Sequence, residues 1–156
     1  MNHFCIVIPN YNHTHAIAAV LDELKELQLP IIMVDDGSDA DAKQVFAELN
    51  AQYDFLTLIS HAQNQGKGGA VQTGLMAAYQ QGFSHAIQVD ADGQHSLADI
   101  SKLIELSNAS PNKVISGCPI YDSSVPKHRY LSRYITHFWV WVETLSFDIV
   151  DSMCGF

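Results

Sequence analysis

The chain is short of cationic residues, with 8 Lys and Arg against 17 Asp and Glu among 156 residues and a formal charge of -9 at neutral pH. That imbalance provides no basic footprint for nucleic-acid phosphates, so no nucleic-acid partner is expected. Cysteine is scarce as well: Cys5, Cys118 and Cys154 form an odd set without CxxC spacing. Such a set fits free thiols in a reducing compartment better than a disulfide framework. No uninterrupted apolar run reaches the ~18 residues that a membrane-spanning helix needs. The nearest stretch, 134–150, is broken by His137, Glu143 and Asp148. Residues 1–12 have no basic start and only a short apolar run, so no targeting peptide is expected and the cytoplasm is the default location. Internal repeats, low-complexity tracts and Pro/Gly/Ser-rich linkers are missing too, and a single domain over residues 1–156 is the expectation.

What is present is an ordinary globular composition, 47% hydrophobic and 16% charged. A chain of this length buries roughly 70% of its unfolded surface and needs no disulfide or structural metal to hold a core. Short apolar runs of strand length recur at 4–8, 31–34, 55–59, 86–89 and around Val114–Ile115. Between them lie stretches with helical spacing: Ile17, Val20, Leu21, Leu24 and Leu27; then Val45, Phe46 and Leu49; then Val71, Leu75, Ala78 and Tyr79. Alternation of this kind predicts an α/β fold, a mainly parallel sheet with helices on both faces. Ligands of open α/β sheets sit beyond the carboxyl ends of the strands. Four polar segments follow four predicted strands there: Pro9–Asn12, Asp35–Ser38, Asn64–Gly69 and Asp90–His95.

Each segment has a chemical reading and a plain one. In Asp90-Ala91-Asp92-Gly93, two carboxylates one residue apart suit a hard divalent cation, magnesium or manganese, which takes one or two carboxylates plus substrate phosphates. The plain reading is a turn at Asp92-Gly93 with Asp90 capping the next helix. An EF-hand is disfavoured, since Gln88 stands at its first position and a strand precedes it. Asn64-Gln65-Gly66-Lys67-Gly68-Gly69 is either a phosphate-approaching loop or a turn before a helix starting near Val71; it is neither a Walker A loop nor GxGxxG. In Asp35-Asp36-Gly37-Ser38, one carboxylate is placed to read a nucleobase or ribose, and Ser38 or Asp39 is placed to cap a helix. Of the eight histidines only His95 adjoins such a motif, and contact with substrate or with a residue that holds it is expected rather than metal coordination; His3, His61 and His85 flank strands and read as structural. Residues 127–141 gather Lys127, Arg129, Arg133, Trp139 and Trp141. These read either as an interfacial element or, through Ile135, Phe138, Trp139 and Val142, as a buried helix face.

Together, Ile8-Pro9-Asn10-Tyr11-Asn12, Val34-Asp35-Asp36-Gly37-Ser38, Asn64-x-Gly66-Lys67-Gly68 and Asp90-Ala91-Asp92-Gly93-Gln94-His95, in this order, resemble a family 2 glycosyltransferase. The likeness extends over essentially the whole chain and is greatest to the branch of dolichyl-phosphate mannose synthase and related polyprenyl-phosphate glycosyltransferases. It implies a GT-A fold and an inverting transfer from a nucleotide-diphosphate sugar, UDP- or GDP-linked, to a lipid-phosphate or glycan acceptor in cell-envelope glycoconjugate synthesis. By the same resemblance, Pro9 and Tyr11 contact the base, Asp36 reads the nucleoside, and Asp90, Ala91 and Gln94 serve the donor diphosphate, whose charge is left to the metal and to Lys67, Arg129 or Arg133. Asp92, with Asp90 beside it, would hold Mg2+ or Mn2+, and Asp151 in Asp151-Ser-Met-Cys-Gly155-Phe156 would be the base. His13 stands where the family often has Glu, and Cys118 where this branch often has Arg. The chain ends before the Arg that usually follows Gly-Phe, so a domain lacking its C-terminal part is expected, cytoplasmic or peripheral at the inner face of the membrane. The alternatives are a non-catalytic nucleotide-sugar-binding protein and a sugar-1-phosphate nucleotidyltransferase. The latter should open with a Gly-rich, Arg-containing loop where Pro9–His13 stands.

Overall fold

The structure, a computed structural model, describes residues 2–93, 97–117 and 138–145. The chain divides into two compact units, Met1–Lys113 and Val114–Phe156. In the first, strands β1 (Phe4–Asn10), β2 (Ile31–Asp35), β3 (Leu56–Ser60) and β4 (His85–Gln88) pair in parallel in the order β3-β2-β1-β4. Helices α1 (Ile17–Leu24), α2 (Ala40–Gln52) and α3 (Gly66–Gln80) form the crossovers, and α4 (Ile100–Ala109) follows β4. The two central strands, β1 and β2, are buried along their whole length. That is why they read as unbroken apolar runs, both faces being covered.

The order of the strands places the helices. The β1-α1-β2 and β2-α2-β3 connections step one way across the sheet, while β3-α3-β4 steps back past β1; with right-handed crossovers, α1 and α2 cover one face and α3 the other. The reversal falls between β1 and β4, the switch point where open sheets form a crevice. Register then aligns the strand ends: Asn10 stands opposite Asp35, Asp35 opposite Ser60, and Val7 opposite Gln88.

Burial of Ile17, Val20, Leu21 and Leu24 in α1 follows the predicted spacing, as does burial of Phe46 and Leu49 in α2. Three expectations need correction. The inner face of α3 is Ala70, Gly74 and Ala78, whereas Leu75 and Tyr79 are exposed, Tyr79 by 77%. Small residues point inward because α3 lies close on the sheet; a Cβ on Gly74 would collide with Val7 Cγ1. Helix α3 also begins at Gly66, not near Val71, its start fixed by Asn64 Oδ1 and Asp36 Oδ1 accepting the N–H groups of Gly66 and Gln65. Residues 114–117 form no strand, and Val114 is 96% exposed: two apolar residues before Ser116-Gly117 find no ladder to join among the described residues.

Of the second unit, residues 138–144 are helical. Phe138, Trp139 and Val142 are exposed rather than a buried face. Helical spacing says that these side chains share a side of the helix but not that anything covers it. No helix among the described residues is long and apolar enough to cross a membrane. Cys5 is a buried free thiol whose burial pushes its pKa up to about 11, so it is inert at neutral pH. Cys118 and Cys154 lie outside the described residues.

Candidate functional site

The carboxyl ends of the strands are tied together by short polar turns. Asn10 closes the first: its side-chain amide donates to the His13 carbonyl (3.1 Å) and its Oδ1 accepts from the His13 N–H (3.0 Å). The Asp36 N–H donates to the Asn10 carbonyl at 2.8 Å, which links the second turn to the first. Asn12, at φ 59°, donates its N–H to Ser38 Oγ (2.9 Å) and accepts from the Asp39 N–H through Oδ1 (3.0 Å). Asp39, not Ser38, caps α2, accepting from the Ala42 N–H at 2.9 Å. Gly37, at φ 72°, makes this possible. A Cβ there would lie 2.6 Å from backbone atoms of Gln63 and Asn64, so the turn after β2 rests directly on the loop before α3.

The two acidic residues after β2 part company. Asp35 points into the fold, wholly buried, with Oδ1 accepting from the Ser38 N–H and Oδ2 unpaired. Asp36, 2% exposed, lies at the pocket wall. Burial alone would raise its pKa; hydrogen bonds from the Gln65 N–H and His61, helped by the nearby Gly66 N–H, outweigh it and hold the carboxyl below its ordinary value.

After β4 the arrangement is more open. Val89 continues the ladder by donating to the Val7 carbonyl at 3.0 Å, and residues 91–93 turn, with Gly93 at φ 70°. Asp90 Oδ2 accepts from Lys67 Nζ (2.7 Å) and its Oδ1 from Gln88 Nε2 (3.4 Å). The Lys67–Asp90 pair is accessible, with side chains 55% and 22% exposed, and couples the first turn of α3 to the strand end across the crevice.

A cavity of about 330 Å³ opens here, lined by Pro9, Tyr11, Asp36, Lys67, Asp90, Ala91 and Asp92 together with Asn10, His13, Asn64 and Ala70. Every nucleotide- or metal-assigned residue within the described part thus borders one space. Gln94, His95 and Asp151 lie outside the described residues. Sequence reasoning did not single out Asn10, whose carboxamide shapes the first turn, or Ala70, whose small side chain lets the sheet and α3 meet beside the pocket. Nor did it give a role to His61, which stands behind Asp36. No cluster of three or more His, Cys, Asp or Glu that would cage a metal exists among the described residues. Two carboxylates at a pocket wall are nevertheless a donor set that suits Mg2+ or Mn2+ when substrate phosphates and water supply the other oxygens.

Comparison with known proteins narrows the chemistry. The family model described as glycosyl transferase family 2 matches residues 5–152. A UDP-N-acetylglucosamine--dolichyl-phosphate N-acetylglucosaminyltransferase of Methanococcus voltae is 37% identical over 166 residues, an alignment covering 96% of this chain and 66% of that protein. The dolichyl-phosphate beta-glucosyltransferase of Homo sapiens is 28% identical over 174 residues, covering 97% of this chain and 52% of that protein. The chain therefore spans between about half and two thirds of the length of these relatives. Among solved structures, a mannosyltransferase from Pyrobaculum calidifontis in complex with GDP-Man and Mn2+ superposes with a TM-score of 0.57 at 20% identity, covering 67% of this chain and 32% of that one. That likeness concerns the fold, which is GT-A.

Proposed function

The chain belongs to glycosyl transferase family 2, and from that premise we propose that it carries the donor-binding part of an inverting glycosyltransferase that uses a UDP- or GDP-sugar. The observation that carries this reading is the convergence of all four strand-end segments on one pocket, with a buried carboxylate on one side and an open pair on the other. In this reading Pro9 and Tyr11 hold the base and Asp36 accepts a hydrogen bond from the nucleoside. Lys67, Ala91 and Gln94 border the diphosphate, Lys67 supplying a mobile positive charge and Ala91 leaving the backbone accessible. Asp92 and Asp90 would hold Mg2+ or Mn2+, which when bound neutralises charge on the departing nucleoside diphosphate.

The acceptor oxygen attacks the anomeric carbon from the face opposite the diphosphate, forming the new glycosidic bond as the old one breaks. Fixing the base and ribose orients that carbon. A lipid phosphate is already an anion and needs no base. A glycan hydroxyl must lose a proton, and Asp151 is the group assigned to take it. The names of the relatives, which act on dolichyl phosphate, favour the lipid acceptor. Exposed Phe138 and Trp139, whose rings meet edge-on at 5.7 Å, favour peripheral contact with a membrane that carries such an acceptor.

Calorimetric titration with UDP- and GDP-sugars, each with and without Mn2+, tests the donor site without needing the acceptor. Saturable binding that requires metal is expected. In Asp92→Asn the metal-dependent part should vanish while the unfolding midpoint holds. Full metal-dependent affinity in that variant would remove Asp92 from the metal site, and donor binding without turnover by the full-length protein would mark a non-catalytic binder.

A further inference from the structure

His61 lies one residue beyond β3, level with the ends of β1 and β2, and its N–H donates to the Asp35 carbonyl at 2.8 Å. Its ring is buried, with a side-chain exposure of 7%. Nδ1 lies 2.7 Å from Asp36 Oδ1 and Nε2 lies 2.9 Å from Thr73 Oγ1, so the imidazole spans from the turn after β2 to the second turn of α3. The Gln65 N–H reaches the same carboxylate oxygen at 2.8 Å. Two donors on one oxygen fix the rotation of the Asp36 carboxylate.

We infer that His61 is a positioning residue for nucleoside recognition. By occupying Oδ1 together with Gln65, it turns Oδ2 of Asp36 toward the pocket as the oxygen that accepts from the base or ribose. Thr73 completes the device. A carboxylate only accepts, so Nδ1 carries the hydrogen on that side, and in the neutral ring Nε2 then accepts from the Thr73 hydroxyl. The arrangement resembles the way outer partners orient a metal-ligating histidine, with a carboxylate in place of the metal ligand. Protein donors thereby set the direction of a ligand-reading group before any ligand arrives, which lowers the ordering cost of binding.

This inference rests on the donor-site reading, and the experiment separates the two. Affinities of the wild type and of His61→Leu, His61→Asn and His61→Gln are measured by calorimetry for UDP and GDP with Mn2+, and for inorganic pyrophosphate with Mn2+. The Asn amide nitrogen falls near the position of Nδ1, and that of Gln near Nε2. His61→Leu should lose about tenfold in affinity for the preferred nucleoside diphosphate, the scale of a hydrogen bond to a charged group, with pyrophosphate affinity unchanged. His61→Asn should recover most of the loss and His61→Gln little of it. Wild-type nucleotide affinity in His61→Leu would overturn the inference. So would equal losses for Asn and Gln that extend to pyrophosphate and track the unfolding midpoint, because those mark a purely structural histidine. A wild type that binds neither nucleoside diphosphate overturns the donor-site reading and this inference with it.

Discussion

Two acidic turns face each other across the pocket, and their construction is opposite. The turn after β2 is buried, pressed against a neighbouring loop at Gly37, and its carboxylates are held by backbone and ring donors. The turn after β4 is accessible; Asp92 is exposed, and Asp90 is met by a flexible lysine and an adjacent glutamine. In the proposed donor site, identical side chains would therefore take on different work. A carboxylate fixed in direction discriminates between hydrogen-bond donors, while carboxylates at an open turn can adjust to an ion whose other ligands arrive with the substrate.

The largest contrast should come from the two glycines. Gly37→Ala places a methyl group against backbone at a left-handed φ, and the conformational penalty plus overpacking sum to roughly 2–5 kcal/mol of lost stability. Gly93→Ala meets Val20 at 3.5 Å and Ala16 at 3.8 Å, ordinary contact distances, so it should cost the conformational part alone, about 1–2 kcal/mol. Chemical denaturation of both variants checks this, and equal losses would erase the proposed contrast between the turns. Next in size, Asp36→Asn removes the charge that several donors share and should cost about 1.5–3 kcal/mol. Asp90→Asn breaks an accessible ion pair and should cost under about 1 kcal/mol. Lys67→Met should leave the unfolding free energy within about 0.5 kcal/mol of wild type yet weaken nucleoside-diphosphate binding several-fold, an effect that shrinks at high salt.

The smallest effect concerns pH. The Asp36 carboxyl lies below its unfolded value of about 3.9, so its contribution to stability is complete above that value and is lost as pH falls toward the folded pKa. Asp36→Asn should flatten this part of the acid unfolding curve, which unfolding free energies measured across that pH range would show.

Much of this arrangement is legible in the sequence because doubly covered strands leave unbroken apolar runs and parallel crossovers send the polar segments to one edge. Phe4–Ile8 and Ile31–Val34 mark β1 and β2 for that reason, and Asp36 and Asp90 are found by standing next to such runs. Helix α3 resists the same logic. Its buried side is Ala70, Gly74 and Ala78, so the large apolar residues that carry the periodic signal lie on the wrong side. His61 is hidden for another reason: a lone histidine beside a strand has no local pattern, and its partners at 36 and 73 are distant in sequence. The short run at Val114 shows the converse, an apolar dipeptide that is not a strand because nothing among the described residues pairs with it.

Gly74 lies seven residues along α3 from Lys67, about 10 Å down the helix axis. Its bare backbone sits against Val7, so the height of the whole helix above the sheet is gauged at that point. Even one added methyl group would act as a shim, lifting the helix at its middle and swinging the lysine away from the strand end that bears Asp90. The width of the pocket mouth is thus machined two turns away from it, by an amino acid with no side chain to offer a ligand.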